Sequence, residues 1–398
     1  MKKFLLASAA TALVAGSAYA AGHSDEVKVG LMLGFTGPAE SYAPPMAGGA
    51  RAAVKEVAES GLFLGGKKLT LVEGDSTCAD AAIATSVAER FVTADGVSGI
   101  IGALCSGATT AALQNVAVPN GMVMISPSAT SPALSTIEDN GLFFRATPSD
   151  ARQGAVMADI LLEEGITSVA VTYTNNDYGK GLADSFEANY TANGGEVTIN
   201  ASHEDGKGDY SAEVGALASA GGDLLVVVGY ADQGGKGIIQ ASLDTGAFDT
   251  FHLPDAMVGF ATEANFGADL DGTMGQVPGT DAPGGDLYTP IGEANGFDAT
   301  APFSPESYDA AAILLLAMQA AGSNDPAVYK EKMFDVANAP GEQIFPGELA
   351  KALEILANGG EVDLVGASAV ELIEPGEASG SYRVIKTVNG KQETIGYR

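Results

Sequence analysis

Ile100-Ile101-Gly102-Ala103-Leu104-Cys105-Ser106-Gly107-Ala108-Thr109-Thr110 and, shortly after, Met122-Val123-Met124-Ile125-Ser126-Pro127-Ser128-Ala129-Thr130-Ser131-Pro132 decide the fold of this chain. In each, an unbroken apolar run stops at a turn of small hydroxyl residues with glycine or proline. Apolar runs without alternation are the signature of parallel strands buried on both faces. The turns then lie at the carboxyl ends of their strands, where open α/β sheets bind ligands. Small hydroxyl residues there leave backbone N–H groups and Oγ atoms free for an anion, and a helix N-terminus adds its dipole. Two such turns side by side form a candidate carboxylate cradle. Taken singly, each is equally an N-cap or an ordinary Pro-bounded turn.

Outward from these turns the pattern is strand and helix in alternation. Residues 27–33 form a strand, 34–38 a turn, 46–59 a helix, 69–73 a second strand and 80–92 a second helix. A second series begins near Pro148. Ser149 caps a helix over 150–163, and strands at 168–173, 196–201, 223–228 and 251–253 alternate with helices at 179–191, 211–220 and 233–243. This alternation predicts parallel sheets covered by helices. The segment 143–148 is a candidate crossover between two lobes, with a second near 276–279 inside the Gly-, Asp- and Pro-rich stretch 268–285. Further helices are expected at 305–321, 326–338 and 347–356, and a terminal hairpin around Asn389-Gly390. A chain of 398 residues exceeds what one core usually organises, so two lobes are expected.

The N-terminus sets the compartment. Lys2-Lys3 precedes a short apolar stretch over 4–16 and an A-x-A site, Ala18-Tyr19-Ala20, which predicts an export signal cleaved near Ala20. No Cys follows that site, which argues against a lipid anchor. The remaining chain carries 18 basic and 50 acidic residues, a net charge of −32. Such a surface repels nucleic acid and anionic lipid, and those partners are not expected. The two cysteines, Cys78 and Cys105, each follow a predicted strand, and in an exported chain they are expected to pair as a disulfide at one sheet edge.

Enzyme chemistry finds little footing. His23, His203 and His252 are the only histidines and have no metal-ligand spacing, so no metal is expected. Ser106 lacks a nucleophile-elbow context. Gly61-Leu62-Phe63-Leu64-Gly65-Gly66-Lys67 begins like a phosphate loop, but Lys68 stands where Ser or Thr is required, so the stretch is a helix end and turn. No G-x-G-x-x-G follows the first strand. Asp269, Asp271, Asp281 and Asp286 lack Ca²⁺-loop spacing.

Several residue groups, weak singly, are specific in their order and spacing. These are Val27-Lys28-Val29-Gly30 with Thr36-Gly37-Pro38, Gly49-Ala50-Arg51-Ala52-Ala53, Leu104-Cys105-Ser106, Ile125-Ser126-Pro127-Ser128-Ala129-Thr130 and Tyr178-Gly179-Lys180-Gly181. Together they make the mature chain resemble the type I periplasmic binding proteins of branched-chain amino acid ABC transporters, the leucine/isoleucine/valine-binding family. The resemblance implies an α/β Venus-flytrap of two Rossmann-like lobes joined by a hinge. The first lobe is expected over 27–146 plus 279–378, and the second over 147–278 plus 379–398. It further implies a ligand site. Ser106, the backbone of Ser128 and Ala129, and Thr130 match the groups that hold an α-carboxylate, and Tyr42 matches an aromatic ring beside the ligand side chain. Tyr178 and Tyr230 match rings that close over the ligand, and Asp255 matches the carboxylate that pairs with the α-ammonium. Relatives commonly carry Glu at that last position; Asp keeps the charge and shortens the reach by about one methylene. Tyr42, ahead of Ala43-Pro44-Pro45, is alternatively packed on a rigid loop, and Asp255 is alternatively a helix cap.

The expected activity is capture of an amino acid, branched-chain or a related zwitterion, by a monomeric periplasmic protein that hands it to the membrane permease of an ABC importer, without a cofactor. Binding of an amide, urea-like or other carboxylate solute, a sensory role, and an exported hydrolase are the competing readings.

Overall fold

The computed structural model describes residues 25–398; the expected export signal and His23 lie outside them. In chain order the first strands are Glu26–Leu33 (β1), Lys68–Asp75 (β2), Ile100–Gly102 (β3), Met124–Ser126 (β4) and Phe143–Arg145 (β5). Ser168–Thr174 (β6), Glu196–His203 (β7), Leu224–Val228 (β8), Phe251–Leu253 (β9) and Met274–Pro278 (β10) follow. Glu342–Ile344 (β11) and Val362–Leu364 (β12) make a small separate sheet, and Leu372–Ile373 (β13), Glu377–Ala378 (β14), Tyr382–Val388 (β15) and Lys391–Tyr397 (β16) end the chain.

Two seven-stranded sheets result, ordered β13-β14-β5-β4-β3-β1-β2 and β16-β15-β10-β9-β8-β6-β7. The five leading strands of each sheet are parallel and follow the same order, so the two α/β lobes repeat one topology. The central strands are buried along their whole length, as the unbroken apolar runs require; β8, Leu-Leu-Val-Val-Val, is wholly buried. The chain changes direction across each sheet at one point, between β1 and β3 in the first and between β6 and β8 in the second. Ligands bind above the carboxyl edge at such switch points.

Helix packing fixes these sheets. Helix Ser304–Ala321 is apolar around most of its circumference, and Ile313, Leu314, Leu315 and Leu316 are fully buried. It lies against helix Ala43–Ser60, whose small residues allow close approach: a Cβ on Gly49 would meet the Ser304 carbonyl oxygen at 2.5 Å and the Tyr288 hydroxyl at 2.6 Å. Ser149 caps helix Asp150–Glu163 by accepting from the Ala151 N–H at 3.2 Å, as its position predicts.

Several local expectations are corrected. The first helix begins at Ala43 rather than 46, because Pro44 and Pro45 sit in its first turn, where a missing N–H costs nothing. Ala43-Pro44-Pro45 is therefore helix and not a rigid loop. The stretch 268–285 is not all loop: Met274–Pro278 is a strand of the second sheet, so the chain leaves that sheet only after Pro278. Gly284–Asn295 is a helix that its glycines and Pro290 concealed, and Phe260–Phe266 is a two-turn helix too short to show a periodic pattern. The helix expected over 326–338 is broken into Pro326–Tyr329, a 3₁₀ turn and Met333–Ala337. Gly61, at φ 67°, ends helix Ala43–Ser60, in keeping with the helix-end reading of the phosphate-loop-like stretch.

Candidate functional site

Each lobe sends its chemistry to the other from its switch point. In the first lobe, the chain leaving β1 carries Ala39 and Tyr42, and the chain leaving β3 carries Cys105 and Ser106. In the second, Tyr178 follows β6, Tyr230 follows β8 and Asp255 follows β9. Tyr42, Ser106, Ser128, Tyr178, Tyr230 and Asp255 line one cavity with Ala39, Leu104, Cys105, Ala256 and Phe303. Six of the eight residues expected to hold ligand thus meet in one place.

The lobes stand closed over this cavity, which measures about 20 Å³. That is room for about one water. Hydrogen bonds cross the closed cleft at its rim: the Ser41 N–H donates to Asp232 Oδ2 at 2.9 Å, and the Tyr42 hydroxyl donates to the Val258 carbonyl at 2.8 Å.

The first-lobe end is built from two facing turns. Cys105 precedes the helical run that opens with Ser106–Ala112, and Ser106 Oγ accepts from the Ser131 N–H at 3.1 Å. Its own proton stays free to donate. The Thr130 hydroxyl is buried beside the Asp150 carboxyl, which it helps to hold down. Thr130 and Ala129 flank the cavity without lining it. The Ser128 and Ala129 N–H groups both donate to Ser126 Oγ, at 3.2 and 2.9 Å, so they are engaged within the turn rather than open to an anion.

The second-lobe end is acidic and aromatic. Asp255 is 1% exposed, and its Oδ1 accepts from the Tyr178 hydroxyl at 2.6 Å and from the Ala256 N–H at 2.8 Å. Pro254 precedes the short 3₁₀ turn, and Asp255 is its first residue; the capping alternative is not what the geometry shows. Burial pushes the Asp255 carboxyl up to about 6, against the Tyr178 bond that lowers it. Tyr178 and Tyr230 stack with ring centres 5.5 Å apart.

Two groups here escaped the sequence reading. Asp150, in the first turn of its helix, is fully buried, and burial and the nearby Asp255 charge push it well above its ordinary value against the Thr130 hydroxyl and the Arg145 charge, which lower it. Its sequence context, Pro148-Ser149-Asp150, signals only a helix start. Arg145, 1% exposed, ends the apolar run Leu142-Phe143-Phe144; a lone arginine in such a run was the available signal.

Cys78 and Cys105 form a disulfide with Cα atoms 5.4 Å apart, as expected. His203 and His252 are buried, hydrogen-bonded to Thr172 and Gln276, and pushed down to about 4 by burial. Among the described residues, no group of three or more His, Cys, Asp or Glu could hold a metal ion, and no helix is long and apolar enough to cross a membrane.

Comparison with known proteins follows the same lines. A family model described as "periplasmic binding protein" matches residues 26–345. The chain is 33% identical over 335 residues to a Leu/Ile/Val-binding protein homolog of Brucella melitensis, covering 82% of this chain and 86% of that protein. A leucine-binding protein of Thermotoga maritima shares the fold with a TM-score of 0.79 at 23% identity, over 93% of this chain and 98% of that one. A branched-chain amino acid transporter substrate-binding protein of Streptococcus pneumoniae, solved with isoleucine, gives 0.75 at 22% identity, over 94% and 99%.

Proposed function

The chain belongs to the periplasmic binding protein family, with curated Leu/Ile/Val-binding relatives, and on that premise we propose that it captures a free amino acid between its lobes and hands it to the permease of an ABC importer. The observation that carries this reading is the opposed chemistry of one interlobe cavity: the Ser106 hydroxyl at the first lobe's switch point and, from the second lobe, the buried Asp255 carboxylate that follows β9. A zwitterion is the solute that satisfies both ends. Ser106 and Thr130 receive the α-carboxylate, Asp255 receives the α-ammonium, and Tyr42, Tyr178, Tyr230 and Phe303 surround an apolar side chain.

The hinge runs through residues 146–149, the segment after Pro278, and residues 379–381, which divides the lobes at 27–146 plus 279–378 and 147–278 plus 379–398. Export proceeds through the N-terminal signal, cut near Ala20, and the protein acts in the periplasm as a monomer that returns its ligand chemically unchanged. The resemblance to proteins named for leucine, isoleucine and valine favours a branched-chain ligand.

Binding drives closure because the parted form offers the ligand one lobe and the closed form offers two. Small-angle scattering on protein with a saturating amino acid from a binding screen is therefore expected to show a smaller radius of gyration than the ligand-free protein. A tightly bound ligand that leaves the scattering curve unchanged contradicts capture between lobes. Chemical alteration of that ligand contradicts the binding-protein reading itself.

A further inference from the structure

Arg145 lies outside the cavity, yet it holds the turn that faces it. It ends β5, beside β4, and Ser126 is its register partner. Its Nη1 donates to the carbonyls of Ala129 at 3.1 Å and Ser131 at 3.0 Å. Its Nη2 donates to Ser135 Oγ at 2.6 Å and to Glu377 Oε2 at 2.5 Å, and the Ser135 hydroxyl also donates to Glu377 Oε2 at 2.6 Å.

The orientation of the turn follows from peptide geometry. In a trans peptide the carbonyl and the next N–H point in opposite directions. Tying the Ala129 carbonyl to Arg145 therefore aims the Thr130 N–H away from Arg145. The following peptide is fixed at both ends: its carbonyl, on Thr130, accepts from the Asp150 N–H at 2.8 Å, and its N–H, on Ser131, donates to Ser106 Oγ at 3.1 Å. Because the Ser128 and Ala129 N–H groups are engaged with Ser126, and the Thr130 hydroxyl lies against the Asp150 carboxyl, the Thr130 N–H is the backbone donor left in this stretch of the turn. A planar guanidinium reaches two carbonyls, a hydroxyl and a carboxylate at once; an ammonium on a lysine stem cannot reproduce that fork.

We infer that Arg145 is the positioning residue of the carboxylate cradle: pinned by Glu377 and Ser135, it orients the Thr130 N–H and hydroxyl that meet the ligand's carboxylate. This rests on the amino-acid reading above.

The test uses L-leucine as probe on the full mature chain. Calorimetry compares wild type with Arg145→Lys, Glu377→Gln and Ser135→Ala, and protein labelled with ¹⁵N-threonine reports the Thr130 amide. Arg145→Lys is expected to lose about 10- to 100-fold in leucine affinity, the worth of one or two hydrogen bonds to a charged group. The leucine-induced shift of the Thr130 amide should vanish while the tyrosine fluorescence response of the aromatic wall persists at saturation. Glu377→Gln and Ser135→Ala, which loosen the guanidinium without removing it, should show smaller losses in the same direction, and they decide the matter if Arg145→Lys does not fold. Equal affinity and an unchanged Thr130 shift in the variants that fold overturn the inference. Absence of binding by wild type to leucine and to every other amino acid instead overturns the reading on which it rests.

Discussion

Asp255→Ala is expected to lower affinity for a free amino acid by about 2–5 kcal/mol, the usual cost of removing one partner from a buried charge pair. That is roughly a 30- to 5,000-fold rise in Kd. The carboxylate is 1% exposed, and its two protein bonds both fall on Oδ1, which leaves Oδ2 for the ligand's ammonium. Acid should reproduce the same loss. An ammonium pairs with the ionised carboxylate, and burial raises this carboxyl to about 6, so it is ionised only above that pH. Neighbouring Asp150 is likewise pushed well above the ordinary carboxylate value, by burial first and then by the Asp255 charge. Affinity should hold steady from pH 8 to 7 and fall by up to about tenfold per unit below 6. Stability without ligand runs the opposite way: a raised carboxyl favours the folded state at low pH, and that contribution is lost as pH rises through about 6. Calorimetry of wild type and Asp255→Ala across pH 5–8 reads both effects. An unchanged affinity in the variant would reduce Asp255 to a structural role beside Tyr178.

The second large effect concerns Cys78 and Cys105. Replacing both with Ser should destabilise the protein by about 3.5 kcal/mol, the loop-closure entropy of a cross-link between positions 27 apart in sequence. The bridge joins the loop leaving β2 to the residue immediately before Ser106. Thr77 and Cys78 both hold left-handed backbone, at φ 58° and 57°, and the Cys78 sulfur packs so close to Gly34 that a Cβ there would come within 2.6 Å. The bridge therefore braces one wall of the cavity, and its loss should weaken ligand binding as well as stability. Denaturant titration of the double variant, with and without ligand, checks this. A midpoint equal to wild type would mean that packing alone holds the loop.

The repeating strand–helix units were legible because the strands that matter are buried on both faces, and Ile100-Ile101 or Leu225-Val226-Val227-Val228 allow no other reading. Ser149, Asn389-Gly390 and the cysteine pair were legible because capping, tight turns and oxidative pairing are local or compositional rules. Gly284–Asn295 was not, since two glycines open it and Pro290 interrupts it. Met274–Pro278 was hidden by Gly275 and Pro278, which local rules assign to turns although its antiparallel pairing with Tyr382–Val388 makes it a strand. The site divides the same way. Ser106 and the turn at 126–130 could be found from sequence, because strand ends are where α/β sheets place ligands, whereas Tyr42, Tyr178, Tyr230 and Asp255 came only from the family resemblance. Arg145, Asp150 and Phe303 depend on which distant segments come together: Arg145 meets Glu377 across 232 residues, and no local pattern encodes that pairing.

Recognition of both charged ends of one amino acid is tested most directly by calorimetry with three molecules of one shape: the tightest-binding amino acid from a full screen, its α-amide and its deaminated acid. The two-ended site predicts tight binding of the amino acid and a loss of at least about 30-fold for each analogue, since each leaves one buried polar partner unmatched. A deaminated acid that binds as tightly as the amino acid would contradict the account, because Asp255 would then face no ammonium and the chain would be a binder of simple carboxylates.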